Sequence, residues 1–95
     1  MNESDESLAE LLTLNASVDR DGTIVYRDQS GSIHRRYGPA VIQTNGYMAW
    51  VQHNRYHRED GPAIIYQHNG RQSFYLNGIA LTEHQFDERV RSITS

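Results

Sequence analysis

His57-Arg58-Glu59-Asp60-Gly61-Pro62-Ala63-Ile64-Ile65 repeats a pattern already present at His34-Arg35-Arg36-Tyr37-Gly38-Pro39-Ala40-Val41-Ile42. The two histidines stand 23 residues apart (57 − 34), and seven of the nine positions are identical or exchange Val for Ile. Both of the chain's 2 prolines, Pro39 and Pro62, fall inside the pattern. A pattern returning at a period of this size marks stacked supersecondary units. The unit extends outward in both directions. Gly22, Gly46 and Gly70 each stand four residues before an aromatic, namely Tyr26, Trp50 and Phe74. A second turn follows at Ser30-Gly31, His53-Asn54 and Asn77-Gly78, and then Ile33, Tyr56 and Ala80. The third unit leaves the pattern at Leu81.

Between the turns lie β-formers: Thr23-Ile24-Val25-Tyr26, Ala40-Val41-Ile42, Tyr47-Met48-Ala49-Trp50-Val51, Ile64-Ile65-Tyr66 and Phe74-Tyr75-Leu76. Short strands at even spacing with no helix between them predict an antiparallel meander of β-hairpins. The distance from His34 to His57 is 23 but that from Gly46 to Gly70 is 24, so one residue is inserted between Ile65 and Gly70. An insertion within a strand would turn every later side chain to the wrong face, so it belongs in the turn. That makes Asn45-Gly46 a two-residue loop and His68-Asn69-Gly70 a three-residue one. In this register Val41 lies across from Trp50, and Ile64 from Phe74. One face then carries Ile24, Tyr26, Val41, Met48, Trp50, Ile64, Tyr66 and Phe74; the other carries Val25, Ala40, Ile42, Ala49, Val51, Ala63, Ile65 and Tyr75. Both are apolar, so terminal helices, a second copy or a partner must cover one of them.

The ends read differently. Residues 1–17 form an acidic leader and a short amphipathic helix from about Ser7 to Leu14, with Ser7-Leu8-Ala9-Glu10 in capping-box form. Residues 18–81 form the sheet. Residues 82–95 hold a capping helix from about Glu83 to Ser92, opened by Thr82-Glu83-His84-Gln85 and carrying Phe86, Val90 and Ile93 at helical spacing.

Composition narrows the function. The 95 residues fit one domain, which at this size buries only about 60–65% of its surface. The net charge of −3 offers no general attraction to a phosphate backbone. Cysteine is absent, so there is neither a disulfide framework nor a thiolate metal site. No apolar run approaches the ~20 residues of a membrane helix, and no secretory leader is visible, so a cytoplasmic location is expected. All 9 basic residues are arginine, which suits stacking on rings and bidentate pairing.

Trp50 to Ala63, which follows the form W-x-x-x-G-x-x-H-R-x-x-G-P-A but with Asn54 at the first glycine, closed by Asn77-Gly78, Leu81-Thr82-Glu83 and Phe86, resembles the MORN-like repeat proteins of bacteriophages and prophages. The resemblance covers about Asp21 to Phe86, and Tyr56 to Ala63 is its nearest copy. Arg36-Tyr37 in the first copy, and Tyr26 and Phe74 in place of tryptophan, depart from it. It implies a rolled sheet of hairpins, a phage-type accessory role and no catalytic residue.

The residues themselves divide into two groups. His34, Gly38, Pro39, His57, Gly61, Pro62, Tyr26, Trp50 and Phe74 are expected to serve the unit's own geometry. In that reading the imidazole bonds a turn carbonyl, and the guanidinium lies along the sheet or pairs with Glu59 or Asp60. The glycine supplies an unusual backbone angle, and the proline opens the next strand. His34, His57, His53 and His68 could together bind Zn²⁺ or Ni²⁺, but the structural reading is preferred and no metal or other cofactor is assigned. No nucleophile or acid–base pair has a meaningful spacing, so no enzyme is expected. Arg35, Arg36, Tyr37, Arg55, Arg58, Tyr75, Val51 and Ile65 are candidates for contact with a partner. The expected role is binding of a host protein, with inhibition of a defence or host-takeover target. A nucleic-acid module using Arg and Tyr is disfavoured by charge, and a structural homo-oligomer is the third reading.

Overall fold

The computed structural model describes residues 12–94. Among the described residues, nine strands precede the C-terminal helix α1: β1 (Asn15–Val18), β2 (Ile24–Arg27), β3 (Val41–Ile42), β4 (Tyr47–Ala49), β5 (Val51–Gln52), β6 (Arg55–Tyr56), β7 (Ile64–Tyr66), β8 (Arg71–Leu76), β9 (Ile79–Leu81) and α1 (Glu83–Thr94). Seven strands form an antiparallel sheet in the order β1-β2-β3-β4-β7-β8-β9, and β5-β6 form a separate two-stranded sheet. The fold is therefore mainly β, with antiparallel pairing throughout.

The sheet begins at Asn15 rather than Val18. Asn15–Val18 pairs with β2 in the register Ala16↔Tyr26, and its Asn-Ala-Ser-Val alternates polar and apolar over only four residues. An edge strand needs only backbone partners, and all four of its side chains are exposed. The helix expected over Ser7–Leu14 lies, but for Leu12, Thr13 and Leu14, outside the described residues; Leu12 and Thr13 are helical.

The hairpins close on longer loops than expected. Gln43 N–H donates to the Tyr47 carbonyl and Gly46 N–H to that of Gln43, leaving Thr44-Asn45-Gly46 as a three-residue loop. β7 and β8 pair as far as Tyr66↔Arg71, leaving the four residues Gln67–Gly70. The one-residue difference does sit in the turn, but each loop is one residue longer, and the register moves with it. Val41 faces Ala49 instead of Trp50, and Ile64 faces Ser73 instead of Phe74. This one-residue slip reassigns the faces. Val25, Val41, Ala49, Ile64, Tyr47, Tyr66 and Tyr75 share one side; Ile24, Ile42, Met48, Ile65 and Phe74 share the other.

The cause is local. In Asn45-Gly46 only the glycine takes positive φ, at 92°, while the asparagine stays at negative φ and its Oδ1 accepts the Tyr47 N–H at 3.1 Å. That is a type I turn with a glycine bulge, which spans three residues. Two-residue mirror-image turns form elsewhere. His53 and Asn54 have φ of 51° and 65°, and Asn77 and Gly78 have 51° and 83°.

The middle hairpin continues into a tip that leaves the seven-stranded sheet, whereas β8 runs unbroken into its turn with β9. Trp50 N–H donates to the Ala63 carbonyl, holding β4 to β7, after which β5 turns to pair only with β6. Successive tips are stacked by backbone bonds: Asn54 N–H to the Ile33 carbonyl, and Gly78 N–H to the Tyr56 carbonyl. The core lies between tips and sheet. Ala40, Ala49 and Ala63 are fully buried, and Val51 and Ile64 nearly so. Ile33, Val41, Tyr47 and Tyr75 pack around this cluster.

Helix α1 starts as its sequence dictates. Thr82 Oγ1 accepts the Gln85 N–H at 3.1 Å, and Gln85 Oε1 accepts the Thr82 N–H at 3.0 Å, a reciprocal capping box. Phe86 is 5% exposed and its ring lies 4.9 Å from that of Phe74 on β8. The helix thus covers the β8 end of the Met48 face.

Candidate functional site

The two His-Arg segments occupy matching frames. His34 N–H donates to the Tyr26 carbonyl, and His57 N–H to the Trp50 carbonyl. Arg35 N–H donates to the Val51 carbonyl and Arg58 N–H to that of Tyr75. His34 Nδ1 accepts the His53 N–H at 3.2 Å, and His57 Nδ1 accepts the Asn77 N–H at 3.0 Å. Each imidazole therefore binds the first residue of the next tip's turn, through an amide rather than the expected carbonyl. An Nδ1 that accepts leaves the proton of a neutral ring on Nε2. In the second segment His57 Nε2 lies 3.5 Å from Glu59 Oε1.

The guanidinium of each segment is clamped. Arg35 lies over the Tyr26 ring at 4.2 Å and Arg58 over the Trp50 ring at 3.8 Å. Nη1 of each donates to a proline carbonyl, Arg35 to Pro39 at 3.3 Å and Arg58 to Pro62 at 3.1 Å. Arg58 Nε also meets Asp60 Oδ1 at 2.8 Å. The opposite side of each guanidinium is closed by Gly38 or Gly61. A Cβ there would sit 2.9 Å from the Arg35 Cζ or 3.1 Å from the Arg58 Cζ. Neither glycine has positive φ. The reason for glycine is therefore room for the guanidinium, a correction to the backbone-angle expectation.

This engagement sorts the partner candidates. Arg35 and Arg58 serve the fold. Val51, expected on a contact surface, is 5% exposed and belongs to the core. Arg36, Tyr37 and Arg55 lie outside the core, with Arg36 over the Tyr37 ring at 5.3 Å. Ile65 and Tyr75 are half-buried on opposite sides of the sheet. An open cleft of about 860 Å³ runs between the segments, lined among others by Arg36, Tyr37, Trp50, His57, Glu59 and Asp60. Its walls carry both signs of charge.

Two groupings were not foreseen. Tyr47 packs on Tyr66 and Tyr56 on Tyr75, each pair with centroids 5.1 Å apart. Burial, then a hydrogen bond with Tyr56, holds the Tyr47 hydroxyl well above the ordinary tyrosine pKa. The 19-residue step from Tyr47 to Tyr66 and from Tyr56 to Tyr75 was the signal available in the sequence. The second grouping is Asp28, His34 and His53, which present one ligand-type atom each within 4.8 Å of one another. Of the four imidazoles considered together, the fold brings His34 and His53 into contact, with ring centroids 4.4 Å apart. His68 instead lies against Tyr66 and His57 against Glu59.

Asp21 gives the fold a pH dependence. Its Oδ1 accepts the Thr23 N–H at 3.0 Å, and this bond chiefly, with the threonine side chain next, holds the carboxyl below the ordinary value of 3.8. A depressed folded pKa contributes stability that is complete above the unfolded pKa and is lost as pH falls through the folded one. Urea midpoints are expected to drop below about pH 4, with a shallower drop in Asp21→Asn, whose amide oxygen still accepts. An unchanged slope in that variant would remove Asp21 as a contributor.

Comparison with protein-family models, curated proteins and solved structures gives no match to this chain. No helix among the described residues is long and apolar enough to cross a membrane.

Proposed function

We propose that this chain is a non-catalytic accessory protein, of the MORN-like type found in phages and prophages, that binds a host protein through one face of its sheet. The observation that carries the reading is the row Ile24, Ile42, Met48 and Ile65. These four apolar side chains share a face, each is only half-buried, and α1 packs on the same face at Phe74, through Phe86. Exposed apolar surface on a small domain is a usual mark of an interface. The nearness of Tyr56 to Ala63 to the phage-type pattern supports the accessory role, and inhibition of a bacterial defence or takeover target is the action such binding would have. A cytoplasmic setting fits the cysteine-free composition.

A nucleic-acid role is the weaker reading, since Arg35 and Arg58 are already stacked within the fold and the net charge is −3. A homo-oligomer has one observation in its favour. Among the described residues, each outer strand of the sheet, β1 and β9, pairs on one side only.

The test is capture from bacterial lysate by the wild-type chain beside Met48→Glu, with light scattering on both. The reading expects one protein enriched by the wild type and lost with Met48→Glu, while both variants melt cooperatively. Equal capture by both would overturn the assignment of the face. A wild-type dimer that Met48→Glu converts to a monomer, with nothing captured, would replace it by self-association.

A further inference from the structure

We propose that Asp28, His34 and His53 form a binding site for a divalent transition-metal ion, Zn²⁺ being the type case. Two imidazoles and one carboxylate are a donor set suited to Zn²⁺, Co²⁺ or Ni²⁺ and poorly suited to Mg²⁺ or Ca²⁺. Their ligand-type atoms already lie within 4.8 Å of one another. His53 Nδ1 is 3.7 Å from Asp28 Oδ2. An ion with bonds of about 2.0–2.2 Å sets its ligand atoms roughly 3–3.5 Å apart, so the pair at 3.7 Å is nearly in place and the widest separation within the 4.8 Å limit must close by about 1–2 Å. His53, whose side chain is 75% exposed, is free to make that movement.

The carboxylate is oriented in advance. Asp28 Oδ1 accepts from Ser30 N–H at 3.0 Å, Ser30 Oγ at 2.6 Å and Ser32 N–H at 3.1 Å. That fixes the group and turns Oδ2 toward the imidazole of His53. Hydrogen bonding of this kind around a ligating carboxylate is the usual support of a metal site.

The second segment supplies an internal comparison. The strand position that matches Asp28 holds Gln52, through the pairings Arg27↔Ile33 and Val51↔Tyr56. The turn position that matches His53 holds Asn77, with the same φ of 51°. The two-residue turn therefore forms with asparagine in place of His53, so that turn does not require a histidine. Asp28 closes the longer, three-residue loop of the first tip through Oδ1, which leaves Oδ2 over for an ion.

One contact opposes the ion. His34 Nδ1 accepts the His53 N–H, so the lone pair is in use and the ring proton sits on Nε2. A metal on Nδ1 displaces that bond, and a metal on Nε2 moves the proton to Nδ1, where it faces another N–H. Either way the amide bond is given up, a loss of roughly tenfold in affinity. The site should thus bind more weakly than a closed four-ligand structural site. It should also leave coordination positions open toward the small pocket that Leu14, Arg36 and Tyr37 complete.

The experiment titrates untagged, full-length protein with Zn²⁺ by calorimetry and with Co²⁺ by visible absorption. Beside it run Asp28→Asn, which keeps the turn's acceptor, and His53→Asn, which copies Asn77. His68→Ala and His84→Ala serve as controls. One ion per chain is expected. Loss of even an outer-shell partner costs a metal site 10–100-fold, so each ligand variant should weaken binding roughly tenfold or more while retaining its circular dichroism. The controls should bind as the wild type does. Zn²⁺ should shift the imidazole nitrogens of His34 and His53 and leave those of His57 in place. No uptake by the wild type, or uptake unchanged in Asp28→Asn and His53→Asn, would overturn the proposal.

Discussion

Phe86→Ala is expected to cost about 3–5 kcal/mol, the usual range for deleting a buried phenylalanine. The ring is 5% exposed and lies tilted at 4.9 Å from Phe74, and it is the one buried side chain that α1 contributes among those described. A chain of 95 residues has on the order of 5–14 kcal/mol of total stability. Losing this anchor should therefore strip the helix from β8 before the sheet melts, or unfold the domain at mild temperature. Urea unfolding followed by far-ultraviolet circular dichroism reads it. Phe86→Leu, which keeps most of the volume, should recover more than half of the loss. A loss below about 1 kcal/mol in Phe86→Ala would mean that the helix is not held by this contact.

Gly61→Ala is the second large effect, expected at about 1–3 kcal/mol as an overpacking cost. The new methyl would stand 3.1 Å from the Arg58 Cζ, whose other face rests on the Trp50 ring. The guanidinium must give by a few tenths of an ångström, which presses it against the ring or stretches its bond to the Pro62 carbonyl. Arg58→Ala should itself cost about 2 kcal/mol, because a charge-assisted hydrogen bond and a ring contact are lost together. The exposed Asp60 partner adds little, its side chain being 85% exposed. The discriminating quantity is their coupling. With Arg58 already removed, Gly61→Ala should be nearly free, a double-mutant interaction within about 0.5–3 kcal/mol. Gly38→Ala and Arg35→Ala should behave likewise, since that Cβ would lie 2.9 Å from the Arg35 Cζ. Additive costs would show that the glycine is there for another reason.

Much of this architecture could be read from the chain. The β-formers between turns marked β2, β3, β4, β7 and most of β8, and Thr82 with Gln85 marked the start of α1, because these signals are local; β1, β6 and β9 lay outside those runs, and Tyr47–Val51 divides at Trp50 into β4 and β5. The inserted residue sits in the second turn, because a residue added within a strand would turn every later side chain to the other face. The register was not legible. Asn45-Gly46 and Asn69-Gly70 have the composition of a two-residue turn, yet asparagine can either adopt positive φ or use Oδ1 to accept an amide at negative φ. Its choice here moved Val41, Ile64 and Tyr66 across the sheet. The role of Gly38 and Gly61 was also hidden, since it depends on where an arginine side chain with four rotatable bonds comes to rest. Asp28 escaped notice for a similar reason. It approaches His53 only after the first hairpin tip stacks on the second.

The account rests on His34 and His57 doing the same job, each accepting an amide from the next tip. A long-range proton–nitrogen NMR spectrum of the imidazoles at neutral pH, without added metal, tests this most directly. Both rings are expected as Nε2–H tautomers, with Nδ1 coupled across the hydrogen bonds to the amides of His53 and Asn77. Protonation on Nδ1 in either ring, or different tautomers in the two, would contradict it.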